Sequence, residues 1–436
     1  MVGQGSEWAR AGAVLVGLPD FEVLASGEVG GEIELLVQLR ARVEGCPKCG
    51  VVAKPKGRRA VLVRDLPARG RPVTLVWSKR LWRCAEQQCP MGSWSQTHPE
   101  IAPRAVLTER ARRWACEQVG RCKRSTAAVA AELGVGWSTA WSAVEAYGTP
   151  LVEDPARLAG VSAVGVDEHK FLAATATKAT TYATGVVDVT PGRPPRLLDV
   201  LDGRSGKIYA DWLAERDQQW RDRVAVAALD PFRGYSTALS AQLPAAQQVL
   251  RRLPRRQARF HRAGRGPHPG AARHPRSSRP TRRPALRHPT GGPPRPGQAH
   301  PHARQRLLAG LVAGDPDGEV AAAWTVAQQL REVYQAPTAA DGERRAAAVE
   351  AAALSCPVPE VRRLGRTLRS WRPEWLAYFH TGKASNGPVE AINLNIETSR
   401  RVGYGYRNFG HYRLRLLLAY GDVWTHPAAT PRLRAG

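Results

Sequence analysis

The chain runs to 436 residues, with 64 Lys and Arg against 38 Asp and Glu and a formal net charge of +26. That length holds two or three domains with ample core, and no apolar run is long enough to span a bilayer. Together with an N-terminus lacking a charged-then-apolar leader, this excludes a membrane role and predicts a cytoplasmic protein; seven cysteines, an odd number in a long chain, argue against a disulfide scaffold.

The first predicted domain covers 1–100. Cys46-Pro-Lys-Cys49-Gly is a tight knuckle, and Cys84 and Cys89 form a second pair after a long spacer. The spacer predicts two strands, Ala60–Val63 and Val73–Trp77, with Leu66-Pro67 and Gly70 turning between them. Knuckle, hairpin and second pair make a zinc ribbon, and four thiolates suit a closed, structural tetrahedral Zn²⁺ site. Four unrelated buried cysteines, or a redox pair, is the bland alternative. Cys116, Cys122 and Cys356 have no partner at ligand spacing and are expected in the core.

A second domain, 101–150, reads as a helix-turn-helix. Thr108 opens a helical run through Val119, and Ser125–Leu133 is a short capped helix that Gly134 ends. Trp137–Tyr147 then follows as the helix that would enter a major groove, with Ser138, Thr139 and Ser142 placed for bases or phosphate. Ala140, Trp141 and Val144 would face the core. An ordinary helical hairpin remains the alternative.

From 160 to 250 the pattern is α/β. Ser162–Phe171 is an apolar strand ending in the acids Asp167 and Glu168, with His169 beside them; Thr181–Asp188 and Arg196–Leu201 are further strands. Ser205–Trp220 has helical periodicity, and Val224–Asp230 is a fourth strand ending in an acid. Three strands, a helix and a fourth strand suggest a ribonuclease-H-like sheet in which the first and fourth strands are neighbours. Asp167 and Asp230 would then face one pocket, an oxygen donor set that suits Mg²⁺ and two-ion phosphodiester chemistry. Taken singly, each acid reads more readily as a solvated strand-end residue. Asp188 and Asp202 are rivals at turns, and Glu168 would point to the opposite strand face.

Between Asp230 and Asp315 there is no Asp or Glu, and residues 251–305 are almost only Arg, Pro, His, Gly and Ala. Fifteen Arg in that stretch supply 15 of the 26 net charges. Such a switch usually marks a basic disordered segment. The genetic code offers another cause, a frame-shifted piece of a GC-rich gene. Codons for Leu250-Arg-Arg-Leu-Pro-Arg-Arg-Gln257 can be chosen so that skipping one base at codon 251 gives Leu-Asp-Ala-Phe-His-Val-Val-Lys. With codons chosen the same way, the same shift can turn Arg283–Thr290 into Asp-Pro-Leu-Tyr-Gly-Ile-Arg. The printed stretch is therefore expected to be irregular and to say little about function.

Residues 306–375 return to helical sequence as an insertion, and 376–425 close the chain with a helix and a basic region. In Asn386-Gly-Pro-Val-Glu390-Ala-Ile-Asn393 the residues Glu390, Asn393 and Glu397 lie close to one helix face. Arg400, Arg401 and Arg407, interleaved with Tyr and Phe, suit phosphate and exposed bases, or else a solvated face over aromatic core packing.

These residues together resemble the ISL-three group of bacterial insertion-sequence transposases, of the DDE class. The resemblance rests on the four cysteines, Gly165-Val-Asp-Glu-His169, the Asp230 strand end, the Asn386–Asn393 motif and Gly405-Tyr-Arg-Asn-Phe409. It covers nearly all of the chain outside 251–305, where the family carries an Asp-x-Phe-His strand that only the shifted frame restores. It implies Asp167, Asp230 and Glu390 as a catalytic triad holding Mg²⁺ or Mn²⁺. It implies cleavage at the element's terminal inverted repeats, strand transfer to target DNA, and a homo-oligomer on DNA. A DNA-binding regulator without catalysis and a metal-dependent nuclease are the competing readings; Glu390 argues against the first and the N-terminal DNA module against the second.

Overall fold

The computed structural model describes residues 17–250, 315, 318–403 and 405–424. The stretch 251–305 and the first part of the expected insertion, through residue 314, lie outside the described residues. The chain divides into two compact units, one built from residues before 247 and after 386, the other from Gln247–Asn386.

The first unit opens on a sheet that the sequence reading only partly anticipates. Strands β1 (Phe21–Val29) and β2 (Glu32–Leu39) form a hairpin, and β3 (Lys54–Ala68) and β4 (Arg71–Arg83) form a longer one. The order is β1-β2-β4-β3, with β2 parallel to β4 and the short β5 (Ser93–Ser95) also on β4. The β3–β4 turn is two residues, Arg69 and Gly70, with φ of +53° and +72°. That geometry matches the right-handed twist of the flanking strands, and Gly takes it without strain. Leu66-Pro67 is therefore not a turn; it lies inside β3, where the register shifts between Asp65 and Ala68. One face buries Phe21, Val37, Leu75 and Trp77, with the Phe21 ring edge-on to Trp77 at 5.9 Å.

Three helices follow. Helix α1 (Glu109–Gly120) is capped by the Thr108 hydroxyl, and α2 (Thr126–Leu133) by that of Ser125. Gly134 closes α2 at φ +66°, and α3 (Trp137–Val152) begins three residues later. A Cβ at Gly134 would sit 3.0 Å from Pro72 and 3.1 Å from Arg64, so the turn between α2 and α3 rests on the β3–β4 hairpin. The same junction is tied at Asp65, whose carboxylate accepts from Thr108 Oγ1 at 2.7 Å and Arg110 Nε at 2.8 Å.

The second sheet of this unit runs β9-β6-β7-β8: β6 (Ala163–Leu172), β7 (Thr181–Asp188), β8 (Arg196–Asp202) and β9 (Val226–Leu229). Strands β6, β7 and β8 are antiparallel neighbours and β9 joins β6 in parallel, the ribonuclease-H-like arrangement expected. The predicted Ser205–Trp220 helix is two pieces, α4 (Gly206–Ala214) and α5 (Gln218–Arg223). Asp217 accepts from Trp220 N and starts a new helix there. Helix α6 (Arg233–Gln242) follows β9.

The second unit holds the strand β10 (Gln247–Leu250) and the helices α7 (Glu319–Tyr334), α8 (Ala339–Ser355), α9 (Pro359–Ser370) and α10 (Arg372–Leu376). Its described core includes Leu330, Val349, Leu368 and Trp375, and Glu350 answers Arg369 at 2.9 Å. The chain returns to the first unit with α11 (Gly387–Val402) and α12 (Phe409–Tyr420). Among the described residues no helix is long and apolar enough to cross a membrane.

Candidate metal centre, active site and DNA-binding helices

The four ribbon cysteines converge. Cys46 N donates to Val51 O and Gly50 N to Cys46 O, which curls the knuckle. Cys84 leaves β4 with its N–H on Gly92 O. All four Sγ atoms lie within 4.8 Å of one another, with Cys46 to Cys89 at 3.7 Å and Cys49 to Cys84 at 3.4 Å. Zn–S bonds of about 2.3 Å in a tetrahedron give S···S edges of about 3.8 Å, so the four thiols stand close to tetrahedral zinc spacing. Burial opposes the Cys46 thiolate, but the backbone N–H groups of Cys49 and Lys48 and the neighbouring thiols outweigh it and bring the group to about 7. Of the remaining cysteines only Cys116 is in the core, where burial pushes its thiol up to about 12. Cys122 is exposed and Cys356 half-buried, contrary to expectation, because both sit at helix ends.

On α3, Ala140, Trp141 and Val144 are buried as expected, whereas Ser138 and Ser142 are exposed and Thr139 is half-buried. Thr139, Ser142 and Arg112 border a cavity of about 370 Å³ against Pro103 and Val106. Trp137, 46% exposed, stacks on Trp141 at 5.6 Å, and the His411 ring of α12 lies 4.5 Å from Trp141.

Asp167 is in mid-strand on β6, not at its end, because the antiparallel pairing with β7 carries β6 on to Leu172. Its parallel pairing with β9 stops at Val166↔Leu229, so Asp167 and Asp230 are the next residues along adjacent strands. Strands are about 4.8 Å apart, which brings the two backbones side by side. Helix α11 packs against β6 and β7 on the face that carries Asp167 and His169. From it Asn393 Nδ2 donates to Asp167 Oδ2 at 2.9 Å. Glu390, exposed, precedes Asn393 by three residues and shares its side of the helix. Asn393 has no role assigned from sequence alone; its offset of three from Glu390 is the signal that points to it. Glu168 lies on the other sheet face, opposite Thr184, whose hydroxyl meets Tyr235 Oη at 2.8 Å.

His169, two residues beyond Asp167, has both ring nitrogens buried without a hydrogen-bond partner. Burial lowers it to about 4, against a weaker upward pull from Glu397. Glu397 is held down to about 2, chiefly by hydrogen bonds from Arg400, with Arg401 adding. Arg400 binds it through two nitrogens at 2.8 Å and Arg401 through one at 3.0 Å, while Arg407 is exposed. The rival Asp188 is fully buried and answered by Arg196 at 3.0 Å. Asp202 is exposed at the end of β8. Among the described residues only the four cysteines form a set of three or more Cys, His, Asp or Glu ligands gathered for one metal; the three carboxylates do not form such a cluster.

A zinc knuckle, a helix-turn-helix on its hairpin and an α/β sheet with paired acids define a protein built to handle DNA. Family models agree in the same order along the chain. A zinc-finger of transposase IS204/IS1001/IS1096/IS1165 matches residues 42–89, and a helix-turn-helix domain of transposase family ISL3 matches 96–148. A transposase domain of the same family matches 164–252 and 294–416. The chain belongs to the ISL3 family of transposases. The transposase match leaves 253–293 uncovered, within the Arg-rich stretch. No curated protein matches the chain.

Proposed function

We propose that the chain binds the terminal inverted repeats of its own element through α3 and cuts and rejoins DNA at Asp167, Asp230 and Glu390. The observation that supports this best is the Asn393–Asp167 hydrogen bond. It pins the helix bearing Glu390 onto β6, beside the strand that leads into Asp230. Three carboxylates on two strands and a helix are a hard-oxygen donor set suited to Mg²⁺ or Mn²⁺. Such ions, when bound, activate the attacking oxygen and stabilise the leaving one. The protein's own part is to hold and orient. Asn393 fixes the rotamer of Asp167, which also accepts its neighbour's N–H, Glu168 N, at 2.9 Å. In the first reaction water attacks phosphorus and frees a 3′-hydroxyl. In the second that hydroxyl attacks a target phosphodiester, and one P–O bond forms as another breaks. Four thiolates hold a structural Zn²⁺, and the protein works as a homo-oligomer on DNA.

The sequence of 251–305 supports a further part of this reading. The transposase match breaks off over 253–293 and resumes at 294, and codons can be chosen for which a one-base shift near 251 gives an Asp-x-Phe-His strand. The printed chain then transposes poorly or not at all. The test is strand cleavage of a duplex carrying the element's end, using the frame-corrected protein and Mg²⁺. Asp167→Asn is expected to abolish cleavage and leave end binding intact; full cleavage by that variant would reassign the site, with Glu168 next.

A further inference from the structure

The β3–β4 hairpin carries cations that, among the described residues, no carboxylate answers, although Arg64 and Arg71 nearer its turn pair with Glu32 and Glu28. Between Gly45 and Ala85 the only acidic residue is Asp65, and it is buried against Arg110. In the hairpin register Arg58 stands directly opposite Arg80 and Arg59 directly opposite Lys79, with Lys54 opposite Arg83 three pairs further on. Like charges directly across an antiparallel pair destabilise it. Three such pairs along one hairpin are the reverse of what stability alone would select.

Their surroundings offer little relief. Among the described residues none of these six cations pairs with a carboxylate. Arg58 donates to Gln38 Oε1 at 2.7 Å, a neutral acceptor. Lys79 is 8% exposed over the Trp77 ring, its ammonium 4.9 Å from the centroid. Burial, and then the charge of Arg59, lower its pKa. A tetrathiolate zinc site would carry net negative charge and sit next to the Lys54–Arg83 pair, since Cys84 follows Arg83. The Arg58–Arg80 and Arg59–Lys79 pairs lie further from the knuckle and keep their charge.

We infer that this part of the hairpin is a second DNA contact, separate from α3, that takes the phosphate backbone of duplex DNA. The inference rests on the reading of the chain as a DNA-binding transposase. The geometry suits a phosphate strand laid along the sheet edge. Strand β3 is the edge of its sheet, and successive residues of a strand point to opposite faces. Arg58 and Arg80 therefore flank one face of the ribbon, and Arg59 and Lys79 the other. Strand β4 is flanked on its other side by β2 and β5, and Lys79 is packed on Trp77, so the contact falls to Arg58, Arg59 and Arg80 along the β3 edge, which can follow one phosphate strand. A polyanion also explains why repulsive pairs are kept, because counterion release on binding outweighs the repulsion.

The test uses the full chain and a random-sequence duplex, with affinity measured over a range of KCl concentrations. The variant combines Arg58→Gln, Arg59→Gln and Arg80→Gln and leaves Lys79 packed on Trp77. Each lost phosphate contact removes about 0.9 from the salt slope, so the triple variant should lose about 2.7, and roughly eightfold in affinity per contact at about 0.1 M salt. Zinc content should stay at one per chain. The single variant Arg59→Thr should raise the melting temperature while weakening DNA binding, an opposition that a structural role would not produce. Unchanged slope and affinity in the triple variant, with wild type binding the duplex, would overturn the inference and leave the transposase reading standing. If wild type binds no duplex, the underlying reading fails. Tighter binding of single-stranded RNA than of the duplex, lost in the triple variant, would replace DNA as the occupant.

Discussion

Removing the Asp65 carboxylate should loosen the ribbon from the helix-turn-helix. Asp65 is 2% exposed and holds Arg110 through Nε at 2.8 Å and a second nitrogen, and Thr108 Oγ1 at 2.7 Å. The Thr108 hydroxyl also caps α1 by accepting from Ala111 N at 3.2 Å. Asp65→Ala leaves the half-buried Arg110 guanidinium without its counter-charge while the cap survives. Breaking a buried pair by removing one partner costs about 3–5 kcal/mol. At about 2–4 °C per kcal/mol for a body of this size, melting should fall by about 6–20 °C. Thr108→Val removes the cap as well as one bond to Asp65, so it should cost about 1–2 kcal/mol through the cap alone. The assay is thermal unfolding of the zinc-loaded full chain by circular dichroism, paired with binding to the element's end and to random duplex. End selectivity should fall more than bulk affinity, because the ribbon and α3 would no longer be held in fixed register. Melting of Asp65→Ala within about 2 °C of wild type would refute the reasoning.

Three further outcomes are expected. Chelation should remove one zinc per chain and lower the first unfolding transition, and Cys49→Ser should do the same without chelator; metal analysis and calorimetry check both. Asn393→Ala in the frame-corrected protein should cut cleavage at least tenfold by freeing the Asp167 rotamer, with end binding unchanged in a gel-shift assay and cleavage partly restored by Asn393→Gln. Deleting one base at codon 251 and restoring frame near codon 305 should rescue transposition in a mating-out assay; robust transposition by the printed gene would remove the frame-shift reading.

The parts legible in the sequence are those set by local chemistry. Thr108, Ser125 and Gly134 announce helix ends because caps need particular side chains and a left-handed residue. The cysteine knuckle is visible because zinc fixes its spacing. Strands β6, β7 and β8 show as apolar runs because both sheet faces are covered. Strands β1 and β2 passed unread, since Glu22, Glu28, Glu32 and Glu34 break their apolar pattern and only one face is buried. The split between α4 and α5 hides in a continuous helical periodicity that the Asp217 cap interrupts. The partners of Arg400 and Arg401 were also hidden: a basic run looks free until Glu397, three and four residues back, takes both guanidinium groups. Asn393 meets Asp167 across 226 residues of chain, a distance over which composition and spacing carry no signal.

Helix α12 joins the helix-turn-helix and the acid-bearing sheet into one body. Leu414, Leu416, Leu417 and Leu418 of α12 lie in the same buried cluster as Val119 and Val144 of the DNA-binding helices and Val187 and Val200 of the acid-bearing sheet. Close approach is possible because α1 and α3 present glycine there: a Cβ at Gly120 would come within 2.9 Å of Leu418 Cβ, and one at Gly148 within 2.8 Å of Leu418 Cδ1. Polar ties reinforce the packing. Arg413 grips Asp199 of β8 at 2.6 Å, and Arg415 donates to the carbonyls of Lys123 and Arg124 between α1 and α2. The buried Arg157, just past α3, donates to Leu197 O at 3.0 Å. A flexible linker would let the helix-turn-helix hold a DNA end while the acids wandered. A shared core with charged ties fixes the distance from α3 to Asp167; under the proposed function, that distance would set the cut relative to the bound repeat.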